Sequence, residues 1–63
     1  MYTTYIEMPS GATSKPHEFV EESPARKLFG RFVEIMTTWE QWRADVVLTD
    51  EGKEIQREQL RNA

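Results

Sequence analysis

SPARKLFGRFVEIMTTWEQWR, residues 23–43, is the stretch whose reading decides the fold. Set on a helix at about 100° per residue, Trp42, Ile35, Leu28, Trp39, Phe32, Met36, Phe29 and Val33 form one apolar arc of roughly half the circumference. Lys27, Gly30, Arg31, Glu34, Thr37, Thr38 and Gln41 occupy the other half, and only Glu40 and Arg43 fall in or near the apolar side. A strand reading of residues 31–39 has β propensity in its favour, but the adjacent apolar pairs Phe32–Val33 and Ile35–Met36 break the alternation that a strand needs. The pattern therefore predicts a helix over about 24–43. Ser23 is placed to cap its free N–H groups, and Pro24 suits the first helical position, where no donor is needed. Gly30 lies on the polar arc and costs such a helix on the order of 1 kcal/mol relative to alanine.

Outward from this helix the chain reads as short strands. Tyr2 to Met8 alternates Tyr2, Thr4, Ile6 and Met8 against Thr3, Tyr5 and Glu7, and Pro9 ends the run. PSGATSKP is a polar turn between two prolines. His17 to Glu22 reads as a second strand that buries Phe19 and Val20. After the helix, residues 45–49 have strand composition. The last segment supports two readings. In one, Asp50-Glu51-Gly52-Lys53 turns the chain back into an edge strand over 54–58 carrying Ile55; in the other, residues 50–61 form a short exposed helix capped by Thr49. The hairpin is preferred. The expected fold is thus a single α+β domain over 1–63, in order β-β-α-β-β, with one amphipathic helix packed on an antiparallel sheet. Tyr2 or Tyr5, Ile6, Phe19, Val46 or Val47, Leu48 and Ile55 are expected to cover the helix.

Leu48-Thr49-Asp50-Glu51-Gly52 resembles the wing-to-helix junction of some winged-helix transcription regulators, over about a dozen residues. Those regulators carry a helix-turn-helix upstream that finds no room here, so no function is carried over.

With 63 residues, one hydrophobic core is marginal, contributing roughly 3–5 kcal/mol net, and such folds add staples. The chain has no cysteine, which excludes disulfides, thiolate zinc sites and cysteine nucleophiles. A single histidine and no ligand cluster leave no metal or cofactor expected. Aromatic burial by Tyr2, Tyr5, Phe19, Phe29, Phe32, Trp39 and Trp42, or self-association as a homodimer, is left to make up the difference.

Catalysis has little to stand on. His17 has no evident base-orienting partner, Ser10 and Ser14 resemble no nucleophile elbow, and no glycine run cradles phosphate. The expectation is a protein that is not an enzyme. Formal charge is −3 overall, yet residues 23–43 sum to +2 between acidic flanks of −3 and −2. Arg26, Lys27 and Arg31 in the N-terminal half of the helix are therefore the candidate nucleic-acid-binding residues of the alternative reading, against which the acidic total argues. The preferred reading is a non-catalytic protein-binding module, a small regulator, adaptor or inhibitor, because tryptophan, tyrosine and arginine dominate interface hot spots. Trp42, Arg43, Tyr2 and Tyr5 are the candidate protein-binding residues. No window is apolar enough for a membrane span and no signal peptide is evident, so a cytoplasmic location is expected.

Overall fold

A computed structural model describes residues 1–38 and 43–61, with Arg61 described by its backbone alone. The element order is β1 (Tyr2–Glu7), β2 (His17–Phe19), α1 (Glu22–Thr37), β3 (Arg43–Asp50) and β4 (Lys53–Arg61). The strands form one antiparallel sheet in the order β2-β1-β3-β4, with α1 across one face. The α+β architecture and its β-β-α-β-β order are those that the sequence predicts, and the helical alternative for residues 50–61 gives way to β4.

Register assigns the two faces. Tyr2, Thr4 and Ile6 lie opposite Asp50, Leu48 and Val46, and Leu48, Val46 and Ala44 lie opposite Gln56, Glu58 and Leu60. The Thr4 hydroxyl donates to the carbonyl of Ala25 at 3.1 Å, so this set faces the helix. Both residues are fully buried; Ala25 has no side chain beyond Cβ to hold the helix off β1 at that point. Phe29 and Met36 continue the line from Ala25 down the helix and complete a core with Ala44, Val46, Leu48 and Leu60. Tyr2, Ile6, Phe19, Phe32 and Val33 pack around its edge. Of the alternatives predicted to cover the helix, Tyr2 and Val46 face it, whereas Tyr5 and Val47 point to the other side of the sheet.

Several boundaries differ from those read in the sequence. The helix does not run to Arg43: it ends at Thr37, and Arg43 opens β3. At its end Thr37 and Thr38 each turn a hydroxyl back to a carbonyl three residues earlier, Glu34 at 2.9 Å and Ile35 at 2.7 Å. These bonds satisfy carbonyls that a terminating helix leaves open. The apolar spacing carries on past that point through Trp39 and Trp42, which lie outside the described residues, so periodicity alone could not mark the stop. At the other end Glu21 occupies the cap position without a side-chain hydrogen bond, and Ser23 and Pro24 sit inside the first turn. Proline is tolerated there because first-turn N–H groups have no intrahelical acceptor.

β2 is also shorter than predicted. Glu22 already belongs to the helix, and Val20, expected to be buried, is 81% exposed in the connection. Ile55, expected to cover the helix, is instead 41% exposed. Thr49 pairs with Glu54 while Leu48 pairs with Gln56, so Ile55 is the extra residue of a bulge and drops out of the alternation. The β3–β4 turn places Glu51 at φ 53° and Gly52 at φ 80°, the two positive angles of a type I′ hairpin, whose twist matches the strands it joins.

Candidate functional site

The predicted site residues do not converge on one place. Tyr2 lies half-buried on the helix side, beside Glu22. The charge of Asp50, then burial and Glu22, push its phenol above the ordinary range. Beside it Arg26 reaches back one turn to pair with Glu22 and across to Gln56 of β4, Nη1 to Oε1 at 2.8 Å. Because the helix begins at Glu22, its first turn carries an acid where the helix dipole favours one, and the Arg26 guanidinium in the second turn holds the Glu22 carboxyl below its ordinary value. Among the three residues of the nucleic-acid alternative, Arg26 is thus engaged within the fold, whereas Lys27 and Arg31 stand exposed.

Tyr5 and Arg43 belong to the opposite face of the sheet, over which no described element lies. Tyr5 is half-buried and directly opposite Val47, which is 0% exposed although it points away from the helix. Arg57, the next residue across, anchors this face. Its Nη1 reaches Glu7 at 2.8 Å and also meets Asp45, while its Nη2 reaches Glu54 at 2.7 Å. Glu7 and Asp45 are directly cross-strand neighbours, a like-charge placement that destabilises a sheet unless a cation bridges it. Arg57 is that bridge: Glu54 first, then Glu7 and Asp45, raise its already high pKa, and it in turn lowers that of Glu54. Arg43, exposed at the end of the same face, lines a concavity of about 380 Å³ with Glu7, Met8, Pro9, Gly11, Ala44 and Asp45. Trp42 lies outside the described residues.

A third surface was not singled out by the sequence. One turn apart along the flank of α1 that overlooks β2, Leu28 and Phe32 are half-buried and Ile35 is 47% exposed. Phe32 meets the His17 ring edge-on, with centroids 5.7 Å apart, which fixes this flank over β2. β2 has only three residues and is an edge strand, so the sheet ends before it can cover Leu28 and Ile35. The signal for this surface lay in the width of the apolar arc: half a circumference is more than one sheet face can bury against a single helix. Around the flank, Lys27 and Arg31 follow on the exposed side of the helix, and Lys15 lies two residues before His17. None of these three cations has an ion pair among the described residues.

No family model, curated protein or solved structure matches this chain. Its surfaces must therefore be read on their own chemistry. Among the described residues, no helix is long and apolar enough to cross a membrane.

Proposed function

We propose that the protein is a non-catalytic protein-binding module, acting in the cytoplasm as a small regulator, adaptor or inhibitor. The observation that carries this reading is the apolar flank of half-buried Leu28 and Phe32 and exposed Ile35, in a chain whose buried core is otherwise small. A fold of this size has little apolar area to spare, and contiguous apolar surface on a small domain is the ordinary mark of a partner. Catalysis finds less support, since His17 packs on Phe32 and hydrogen-bonds to no carboxylate among the described residues. Self-pairing through β4 is also disfavoured. That nine-residue edge carries Lys53, Glu54, Arg57 and Glu58, and charged side chains are what natural sheets use to blunt an edge.

Site-specific photo-crosslinking in the cells that make the protein tests this reading. A crosslinking side chain at position 35 is expected to yield a discrete protein adduct, and one at Gln59, on the uncovered sheet face, is expected not to. Adducts absent from both positions would overturn the reading; adducts at Gln59 alone would move the site to the face of Tyr5 and Arg57.

A further inference from the structure

We infer that β4 is built with two registers on β3, one residue apart, and that Arg57 holds it in the bulged one.

From the hairpin turn, the first two pairs are Asp50 with Lys53 and Thr49 with Glu54. Continued without a break, that register would set Leu48 against Ile55, Val46 against Arg57, Asp45 against Glu58 and Arg43 against Leu60. The bulge at Ile55 shifts every later pair by one residue, so that Leu48 meets Gln56, Val47 meets Arg57 and Ala44 meets Leu60. Because strand side chains alternate between the two faces, the registers turn opposite sets of β4 side chains toward the helix. Gln56, Glu58 and Leu60 form that set in the structure; Ile55, Arg57 and Gln59 would form it in the unbroken register.

Apolar burial does not choose between them. Each set carries one large apolar side chain, Leu60 (5% exposed) in the first and Ile55 (41% exposed) in the second. A buried face ordinarily specifies register, and here the two candidate faces are nearly matched. Continuity of the ladder favours the unbroken register, since a bulge leaves one residue unpaired.

Polar contacts decide the other way. In the bulged register Arg57 stands on the open face of the sheet, where its Nη1 reaches Glu7 at 2.8 Å and also meets Asp45, and its Nη2 reaches Glu54 at 2.7 Å. Gln56 stands on the helix face, where Arg26 donates to it at 2.8 Å. A slip of one residue breaks these contacts together. It turns Arg57 toward the helix and brings Glu58 into line with Asp45 and Glu7 across three adjacent strands. Like charges directly opposite one another destabilise a sheet, and the guanidinium that bridges Glu7 and Asp45 would by then lie on the other face. Arg57 thus acts on the fold by excluding the regular hairpin that the turn alone would continue. The slip would also exchange the whole contribution of β4 to the open face, replacing Arg57 and Gln59 by Gln56, Glu58 and Leu60.

Cross-strand nuclear Overhauser contacts in the isotopically labelled full chain test this, in the wild type, in Arg57→Val, in a deletion of Ile55 and in the two changes combined. The wild type is expected to show Leu48–Gln56 and Val46–Glu58 contacts. In Arg57→Val these should be lost, wholly or in a second set of β4 resonances, in favour of contacts from Leu48 to Ile55 and from Val46 to position 57, while the Tyr2–Phe19 and Thr4–His17 pairs of β1 and β2 persist. Deleting Ile55 removes the residue that separates the two registers, so the deletion alone should keep the native pairs, and the combined variant should regain them. Full retention of the Leu48–Gln56 contact in Arg57→Val, with no second set, overturns the inference, because the bulge would then hold without Arg57. Loss of folding in that variant overturns it too, since the second register would offer the new apolar side chain a place beneath the helix. So does failure of the deletion to return the native pairs.

Discussion

Along the β4 flank of α1, Arg26 is tied to Glu22 on its own helix and to Gln56 on the strand below, and Val33 packs against the core edge. Along the β2 flank, Leu28 and Ile35 stand beside a strand of three residues, and Lys27 and Arg31 beyond them have no partner among the described residues. One helix thus closes its junction with the sheet on one side by polar bonds and leaves it open and apolar on the other. The difference follows from strand length. β4 runs for nine residues and reaches under the helix with polar side chains, whereas β2 stops almost as soon as it has paired with Tyr2, Thr3 and Thr4. The lesson is that apolar periodicity marks the residues of a helix suited to avoid water, and a strand as short as β2 leaves part of that face uncovered.

The comparison fails at once if the line between the flanks is not the true core. Phe29→Ala removes the largest side chain on that line and is expected to cost about 3–5 kcal/mol, as large buried-to-small replacements do. That equals the net stability a core of this size supplies, so loss of the far-UV helical signal and of any urea transition at 25 °C is the expected readout. A cooperative transition displaced only slightly would place the helix differently on the sheet.

Gly30 sits on the exposed back of the helix, between the two flanks, and a Cβ built there meets nothing within 4 Å. Gly30→Ala should raise stability by about 0.5–1 kcal/mol through helix propensity alone, visible as a higher urea midpoint with unchanged slope. A neutral or negative result would mean that this back is covered, contrary to the description of both flanks.

The polar flank of α1 and the Arg57 cluster on the opposite face of the sheet share a pH signature. Glu22 is held below its ordinary 4.5, chiefly by its hydrogen bond and charge interaction with Arg26, and Glu54 likewise by Arg57. A carboxyl with a depressed folded pKa binds fewer protons folded than unfolded, so its contribution is present above about pH 4.5 and is lost as pH falls through the folded value. Both groups are exposed, and the effect is therefore modest and salt-sensitive. The thermal midpoint should fall on acidification below pH 4.5, and Glu22→Gln/Glu54→Gln should flatten that fall; an equal slope in both proteins would show the pairs to be idle.

Much of this architecture was legible because each strand carries its own local signal. Alternation in residues 2–8, the turn chemistry of Asp50-Glu51-Gly52-Lys53 and the period of residues 25–36 are all short-range properties. What was not legible depended on partners distant in sequence. Ile55 reads as an inward residue until the register across to Thr49 makes it the extra residue of a bulge. Arg57 gives no hint of its role until pairing brings Glu7, fifty residues away, beside Asp45. Arg26 looked like a free cation in a basic turn, and only the approach of β4 supplies Gln56. The helix stop was hidden for another reason: the apolar spacing continues through Trp39 and Trp42, and hydroxyl bonds from Thr37 and Thr38 leave no trace in a hydrophobic pattern.

Ile35→Gln gives the smallest expected effect and the sharpest reading of the open flank. If Ile35 contributes only the half of its surface that is already covered, replacing it with a polar side chain of similar length that is a good helix former should change stability by less than about 0.5 kcal/mol. If instead the flank folds under other parts of the chain in solution, the same replacement buries an amide and should cost about 1–3 kcal/mol. The two outcomes are separable by urea denaturation of purified protein with no partner present. A small change would confirm that this side chain is not spent on the fold, which is the condition for its being available to another molecule.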